Sequence, residues 1–206
     1  MNKKNFQHIT RSFPLVLASA SPRRRDLLEQ VDIPFVVSPA DIDESERSDN
    51  PGDNARILAE EKAQAIYGGR ENGWVLGADT IVVIGSRVLG KPRDEKDAEK
   101  MLRMLSGKEH RVITGFCICS PDGKIAFSDH VSTDVDVKPL TDQEIQKYIS
   151  TKEPFGKAGA YAIQGIGSFM VQGIKGSYSN VVGLPVCEVI KGLEHVGAVN
   201  GFPMNG

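Results

Sequence analysis

The sequence predicts a mixed α/β fold. Three observations carry that expectation. Short apolar runs alternate with amphipathic stretches through the first half of the chain. The second half holds two long strand-like segments joined by a turn. No internal repeat or low-complexity linker divides the 206 residues. A chain of this length buries roughly 70% of its unfolded surface, enough for one sizeable core.

Leu15-Val16-Leu17-Ala18 is an apolar run of the kind a buried strand shows. Ser21 is a good N-cap and Pro22 a good first helical residue, so a strand, a tight turn and a helix start follow one another. A second short strand is expected at 35–37, then an acidic loop at 41–46. Asn50-Pro51 reads as a helix start and Gly68-Gly69 as its stop, with Ala55, Leu58, Ala59 and Ile66 as the apolar stripe. Residues 74–78 and 81–84 are β-like, and Gly85-Ser86 suits a hairpin turn before Arg87-Val88-Leu89. Asp94 caps a helix whose apolar positions are Ala98, Met101, Leu102 and Leu105, and Gly107 ends it. Residues 110–119 and 124–137 read as two strands joined at Pro121-Asp122-Gly123. In the second, Val131, Thr133, Val135 and Val137 face one way and Ser132, Asp134 and Asp136 the other. Thr141 and Glu144 form a capping box. The stretch 156–183 is rich in glycine and poor in helix signals, and Pro185 opens a last amphipathic helix. Residues 1–12 and 197–206 are expected to be tails around a single domain at 13–196.

Composition narrows the function classes. Hydrophobic content of 40% and charged content of 25% describe an ordinary globular chain. The net charge of −2 argues against sequence-blind binding of nucleic acid, so a phosphate ligand would need locally gathered positive charge. The three cysteines, Cys117, Cys119 and Cys187, include no C-x-x-C pair, which argues against a disulfide framework or a zinc site and suits a reducing cytoplasm. The polar N-terminus has no apolar core of a secretory signal, and no stretch approaches the roughly 18 apolar residues of a membrane span.

Several residues break the apolar patterns around them. The turn from Ser19 to Arg25 offers free backbone N–H groups and the positive end of a helix dipole, which suits a phosphate. Arg23, Arg24 and Arg25 add bidentate donors, although only one of three successive helical residues can point at one ligand; solvated arginines are the alternative. Lys62 lies within the stripe of its helix, where it snorkels or meets an anion. Asp79 interrupts an otherwise apolar strand, and a carboxylate there calls for a metal, a cation or water unless it marks a sheet-end turn. Lys91 follows the hairpin, where an exposed turn lysine is the plain alternative. The acidic loop is either solvated or holds Mg²⁺ through one or two carboxylates. Gln164, in a small-residue loop, can offer a donor and an acceptor to a base edge or simply be exposed.

Taken together and in order, eight stretches resemble the Maf family of nucleotide pyrophosphatases: L-A-S-A-S-P-R-R from Leu17, E-K-A from Glu61, G-A-D-T from Gly77, G-K-P-R from Gly90, L-S-G from Leu105, K-A-G-A-Y from Lys157, I-Q-G from Ile163 and V-G-L-P from Val182. The resemblance implies an elongated mixed sheet flanked by helices, with two lobes and a central cleft, like the inosine-triphosphate pyrophosphatases. It implies a homodimer and hydrolysis of a nucleoside triphosphate to the monophosphate and pyrophosphate. Arg23, Thr80 and Gln164 match the members acting on dTTP and UTP; members acting on 7-methyl-GTP differ at all three. A glutamine amide can pair with the N3–H and O4 of uracil or thymine.

The resemblance further implies roles. Ser19, Arg24, Lys62 and Lys91 are expected at the phosphates, Glu44 and Asp79 at a divalent cation, Mg²⁺ with Mn²⁺ or Co²⁺ as alternatives, and Asp79 as proton acceptor from water. Such an enzyme would limit incorporation of non-standard nucleotides. The family name also points to septum formation, so a division-related binding role is the competing class. Lack of a Walker or G-x-G-x-x-G loop argues against a kinase-like phosphotransferase.

Overall fold

The computed structural model describes residues 6–67 and 73–204. Its strands are β1 (Leu15–Leu17), β2 (Phe35–Val37), β3 (Val75–Ile84), β4 (Arg87–Leu89), β5 (Glu109–Cys119), β6 (Ile125–Val137) and β7 (Val171–Lys175). They form one mixed sheet in the order β2-β1-β3-β5-β6-β7, with β4 paired to β3 off that path. The helices are α1 (Pro22–Gln30), α2 (Pro51–Tyr67), α3 (Glu95–Leu105), α4 (Asp142–Ser150), α5 (Tyr178–Val182) and α6 (Val186–His195). The mixed α/β expectation is borne out: β1 pairs in parallel with β2 and β3, and every later pairing is antiparallel.

Local signals explain the helix starts. Asp94 accepts the Asp97 N–H, and Thr141 and Glu144 close the expected capping box. Asn50 Oδ1 takes the Gly52 and Asp53 N–H groups at the head of α2. Ser21 occupies the N-cap of α1 without a side-chain cap bond; Ser19 Oγ instead accepts the Ser21 N–H at 3.3 Å. Gly68 and Gly69 lie outside the described residues.

Two differences matter for the site. The β-like stretches on either side of Asp79 are one uninterrupted strand, in which Asp79 pairs with Gly115 of β5. Strong pairing along nine positions of β5 outweighs the low strand preference of a single aspartate. The glycine-rich stretch 156–183 also contains structure that its composition hid: two 3₁₀ turns, at Ala158–Ala160 and Gly165–Met170, then β7 and α5.

The sheet has a helix-covered face on each side. On one, α2 lies against β3 and β5 with Ala55, Ala59 and Ala63 fully buried. The approach is backbone to backbone. A Cβ on Gly77 would stand 2.1 Å from the Ala59 carbonyl oxygen, and one on Gly115 2.2 Å from that of Ala55. On the opposite face there are two separate apolar clusters. The first joins Leu15, Leu17, Leu27, Leu28, Leu76 and Phe116 with α6 through Val189 and Leu193. The second joins Val82, Val112 and Val135 with α3 and α4. Between them runs a polar belt of Thr80, Thr114, Thr133 and Asn180.

Chain segments expected as tails meet over the first cluster. Ile9 N donates to Ala198 O at 2.8 Å, Trp74 Nε1 donates to Gln7 O at 2.9 Å, and Ile9, Ala198 and Val199 are buried.

Candidate active site

Strand pairing opens a gap in the sheet. β5 runs along one edge of β3 from Val75 to Val83. On the other edge, β1 pairs only at Val75 and Leu76, and β4 only from Val82 to Ile84. Among the described residues, 77–81 therefore have a strand on one side only. A cleft of about 370 Å³ opens there, within the usual size of a small-molecule site. The residues given roles from the sequence line it: Ser19, Arg23 and Arg24 from the β1–α1 turn, Glu44 from the acidic loop, Lys62 from α2, Asp79 and Thr80 from β3, Lys91 after β4, and Gln164 from the loop after α4; Arg25 and the other acids of the 41–46 loop do not.

The charges are arranged in two groups. On the α2 side, Lys62 Nζ lies 2.6 Å from Asp79 Oδ1 and 2.7 Å from Glu44 Oε1, and Lys91 Nζ lies 3.0 Å from Glu44 Oε2. Lys62 neither snorkels nor stands alone: its side chain is 9% exposed and bridges two carboxylates. Partial burial pushes the Glu44 carboxyl up, but hydrogen bonds and charge from Lys62 and Lys91 outweigh it and hold it at about 2. Asp79 is just as enclosed as Lys62, because the close seat of α2 on Gly77 and Gly115 brings the helix over the strand.

On the opposite side, Arg24 is buried and its guanidinium joins three segments. Nε donates to Gly183 O at 2.8 Å, one terminal nitrogen to Ser19 Oγ at 2.9 Å and the other to Thr80 Oγ1 at 3.0 Å. Thr80 Oγ1 also meets Thr114 Oγ1 at 3.0 Å. Arg23 Nε donates to Val182 O at 3.3 Å, and burial pushes its guanidinium below the usual range. Arg25, the third of the run, is exposed. The helical wheel thus divides the three arginines between a buried brace, a cleft wall and solvent.

Sequence reasoning left several neighbours without a role. Asn180 donates through Nδ2 to Val112 O at 3.0 Å and to Thr133 Oγ1 at 2.9 Å, anchoring α5 and with it the two carbonyls that receive Arg23 and Arg24. Besides Thr80, the signal for this belt in the sequence was Thr133, a polar residue on the apolar side of β6. Lys157 also lines the cleft, its ammonium lowered by burial first and by Arg23 second. Tyr161 lines it too, its hydroxyl 2.7 Å from Nε2 of the buried His110. His110 Nδ1 has no hydrogen-bond partner among the described residues, and burial lowers the ring to about 4.

Five cationic side chains face two carboxylates across this cleft, a local positive excess in a chain of net charge −2. That balance suits a polyanion. Among the described residues no group of three or more His, Cys, Asp or Glu side chains gathers as a metal centre. Two carboxylates from separate segments do converge at Lys62, and Asp79 Oδ2 makes no hydrogen bond within the described residues. Hard oxygen donors of that number fit a divalent cation that keeps its waters and binds substrate oxygens. No helix among the described residues is long and apolar enough to cross a membrane.

The family described as "Maf-like protein" matches residues 14–196. A dTTP/UTP pyrophosphatase of Ruminiclostridium cellulolyticum is 52% identical over 174 residues, which cover 84% of this chain and 90% of that protein. One of Geobacter sp. (strain M21) is 51% identical over 186 residues, 90% of this chain and 96% of that protein. Among solved structures, a nucleoside-triphosphatase / dITP/XTP pyrophosphatase from Mycobacterium abscessus is similar at 14% identity with a TM-score of 0.42, covering 89% of this chain and 94% of that one.

Proposed function

The chain belongs to the Maf family, and from that premise we propose that it hydrolyses dTTP and UTP to the nucleoside monophosphate and pyrophosphate. The observation that carries the reading is Asp79 on the unpaired edge of β3, 2.6 Å from Lys62 and facing a cleft with an excess of cations. The relatives named as dTTP/UTP pyrophosphatases support the substrate class.

Each residue then has a task. Lys62, Lys91 and Arg23 turn toward the triphosphate and stabilise the charge that grows on the leaving pyrophosphate. Ser19 and the turn behind it meet the phosphates, and Arg24 holds that turn against Thr80 while its remaining N–H groups are left for an oxygen of the substrate. Asp79 takes the proton of the attacking water. Glu44 and Asp79 would hold a divalent cation, Mg²⁺ by its affinity for phosphate oxygens, with Mn²⁺ or Co²⁺ as substitutes; bound there it supplies charge neutralisation. Gln164 pairs its amide with the base, and Thr80 and Arg23 shape the space beside it. A homodimer in a reducing cytoplasm accompanies this reading, supported by exposed Ile166, Phe169 and Ile174 and by the buried thiols of Cys117 and Cys119.

The test is a panel of nucleoside triphosphates with Mg²⁺, with products separated. Monophosphate plus pyrophosphate from dTTP and UTP is the expected result. Diphosphate plus phosphate, or no turnover of either pyrimidine, refutes the proposal.

A further inference from the structure

We propose that Glu153 is a positioning residue: its carboxylate clamps the loop that carries Gln164 and so sets how selectively the cleft reads a base. The selectivity half of this rests on the base-reading role given to Gln164 above. Glu153 follows α4 and does not line the cleft. Its Oε1 accepts the Gly167 N–H at 2.8 Å and the Tyr148 hydroxyl at 2.9 Å, and its Oε2 accepts the Ile166 N–H at 2.9 Å. Tyr148, 2% exposed, uses the same hydroxyl oxygen to accept the Ala162 N–H at 3.3 Å. The chain is therefore tied at 162 and again at 166–167, and Ile163 and Gln164 are the arc between the ties.

The local sequence makes room for this. Gly165 has φ +72°, and a Cβ there would stand 2.7 Å from Glu153 Oε2. A Cβ on Gly167 would stand 2.4 Å from Ala162 O and 2.6 Å from the Tyr148 hydroxyl oxygen. Burial pushes the Glu153 carboxyl up, but the Gly167 and Ile166 amides and then Tyr148 outweigh it, so the clamp is a carboxylate at neutral pH. Burial, and next the bond to Glu153, raise the Tyr148 hydroxyl, which keeps its proton to donate. A recognition amide discriminates only as well as its backbone is held, since sub-ångström slack lets the wrong partner pair.

Glu153→Gln keeps the shape of the side chain but turns an NH₂ toward one of the two amide donors. Tyr148→Phe removes only the hydroxyl, and serves if the first variant folds poorly. Hydrogen–deuterium exchange over 161–170 and kinetics with dTTP, UTP and GTP are measured on wild type and both variants. In Glu153→Gln the Ile166 and Gly167 amides are expected to exchange at least about tenfold faster, with β5 amides unchanged. The loss with dTTP should fall on KM more than on kcat, and the dTTP-to-GTP ratio of kcat/KM should narrow at least about fivefold. Tyr148→Phe moves the same quantities less far. Unchanged exchange, or faster exchange with an unmoved ratio, overturns the proposal. A wild type with no preference for dTTP and UTP overturns the reading of Gln164 and the selectivity half, and the clamp then stands or falls on the exchange rates.

Discussion

Replacing Lys62 with methionine removes the ammonium that lies 2.6 Å from Asp79 and 2.7 Å from Glu44. Methionine has a stem of similar length and volume, so the space the side chain fills changes little. What remains is an aspartate side chain 11% exposed with its cation gone. Breaking a buried pair in this way costs about 3 kcal/mol or more, because the residual charge keeps its desolvation penalty and loses its partner. Glu44 adds little, since at 45% exposure water takes over its solvation. For a chain of this size about 3 kcal/mol corresponds to a fall in Tm of roughly 6–12 °C. Urea unfolding and thermal melts at pH 7 measure it. The double variant Lys62→Met with Asp79→Asn removes the stranded charge as well and should recover at least about 2 kcal/mol of the loss. Lys91→Met is the control: its partner and its own side chain are both well exposed, so it should stay within about 1 kcal/mol of wild type. A single variant within about 1 kcal/mol of wild type, or a double variant no more stable than the single, would refute the argument that Lys62 exists in part to neutralise Asp79.

Asp79→Asn should lower kcat at least about 100-fold while its far-ultraviolet spectrum stays native; near-normal turnover rules out Asp79 as proton acceptor. Gln164→Glu should move the nucleotide profile away from dTTP and UTP, and an unchanged profile counts against base reading. Gly115→Ala drives a Cβ into the Ala55 carbonyl and must lift α2, so Tm and activity should fall together, by about 1–3 kcal/mol in stability; a calorimetric scan with wild-type Tm contradicts the close seat. Burial lowers His110 to about 4 in the folded protein against about 6.5 in an unfolded chain. The unfolded chain therefore takes up the proton first. Stability from this group is whole above about pH 6.5 and drains away as pH falls to about 4, by roughly 3 kcal/mol. Urea unfolding at a series of pH values should show that slope in wild type and lack it in His110→Gln.

What could be read in advance follows the range of the forces. The capping box at Thr141 and the cap at Asp94 act over three residues, and the alternation of β6 needs only its own strand, so these elements were legible. Lys62 and Asp79 stood out for the same reason: each breaks an apolar pattern that its neighbours establish. Their meeting was not legible, because it depends on α2 crossing β3 at Gly77, a contact between residues far apart in sequence. Arg23, Arg24 and Arg25 look alike locally, and only the fold chooses which one is buried. Likewise β7 and α5 owe their form to pairing with β6 and to Asn180 rather than to propensity. Glu153 resembled an ordinary surface acid, since its partners are backbone amides that no side-chain pattern records.

The gap in the sheet has a length as well as a location. From Leu76, the last β3 residue held by β1, to Val82, the first held by β4, there are six residue steps, or about 20 Å of extended chain. Neither neighbour can slide along β3 by one residue without turning its buried side chains outward. The aperture that admits a ligand is therefore quantised by register, and it cannot widen gradually as an enzyme adapts to larger guests. Adaptation falls to the rim, where loops and single side chains can be exchanged without disturbing the frame.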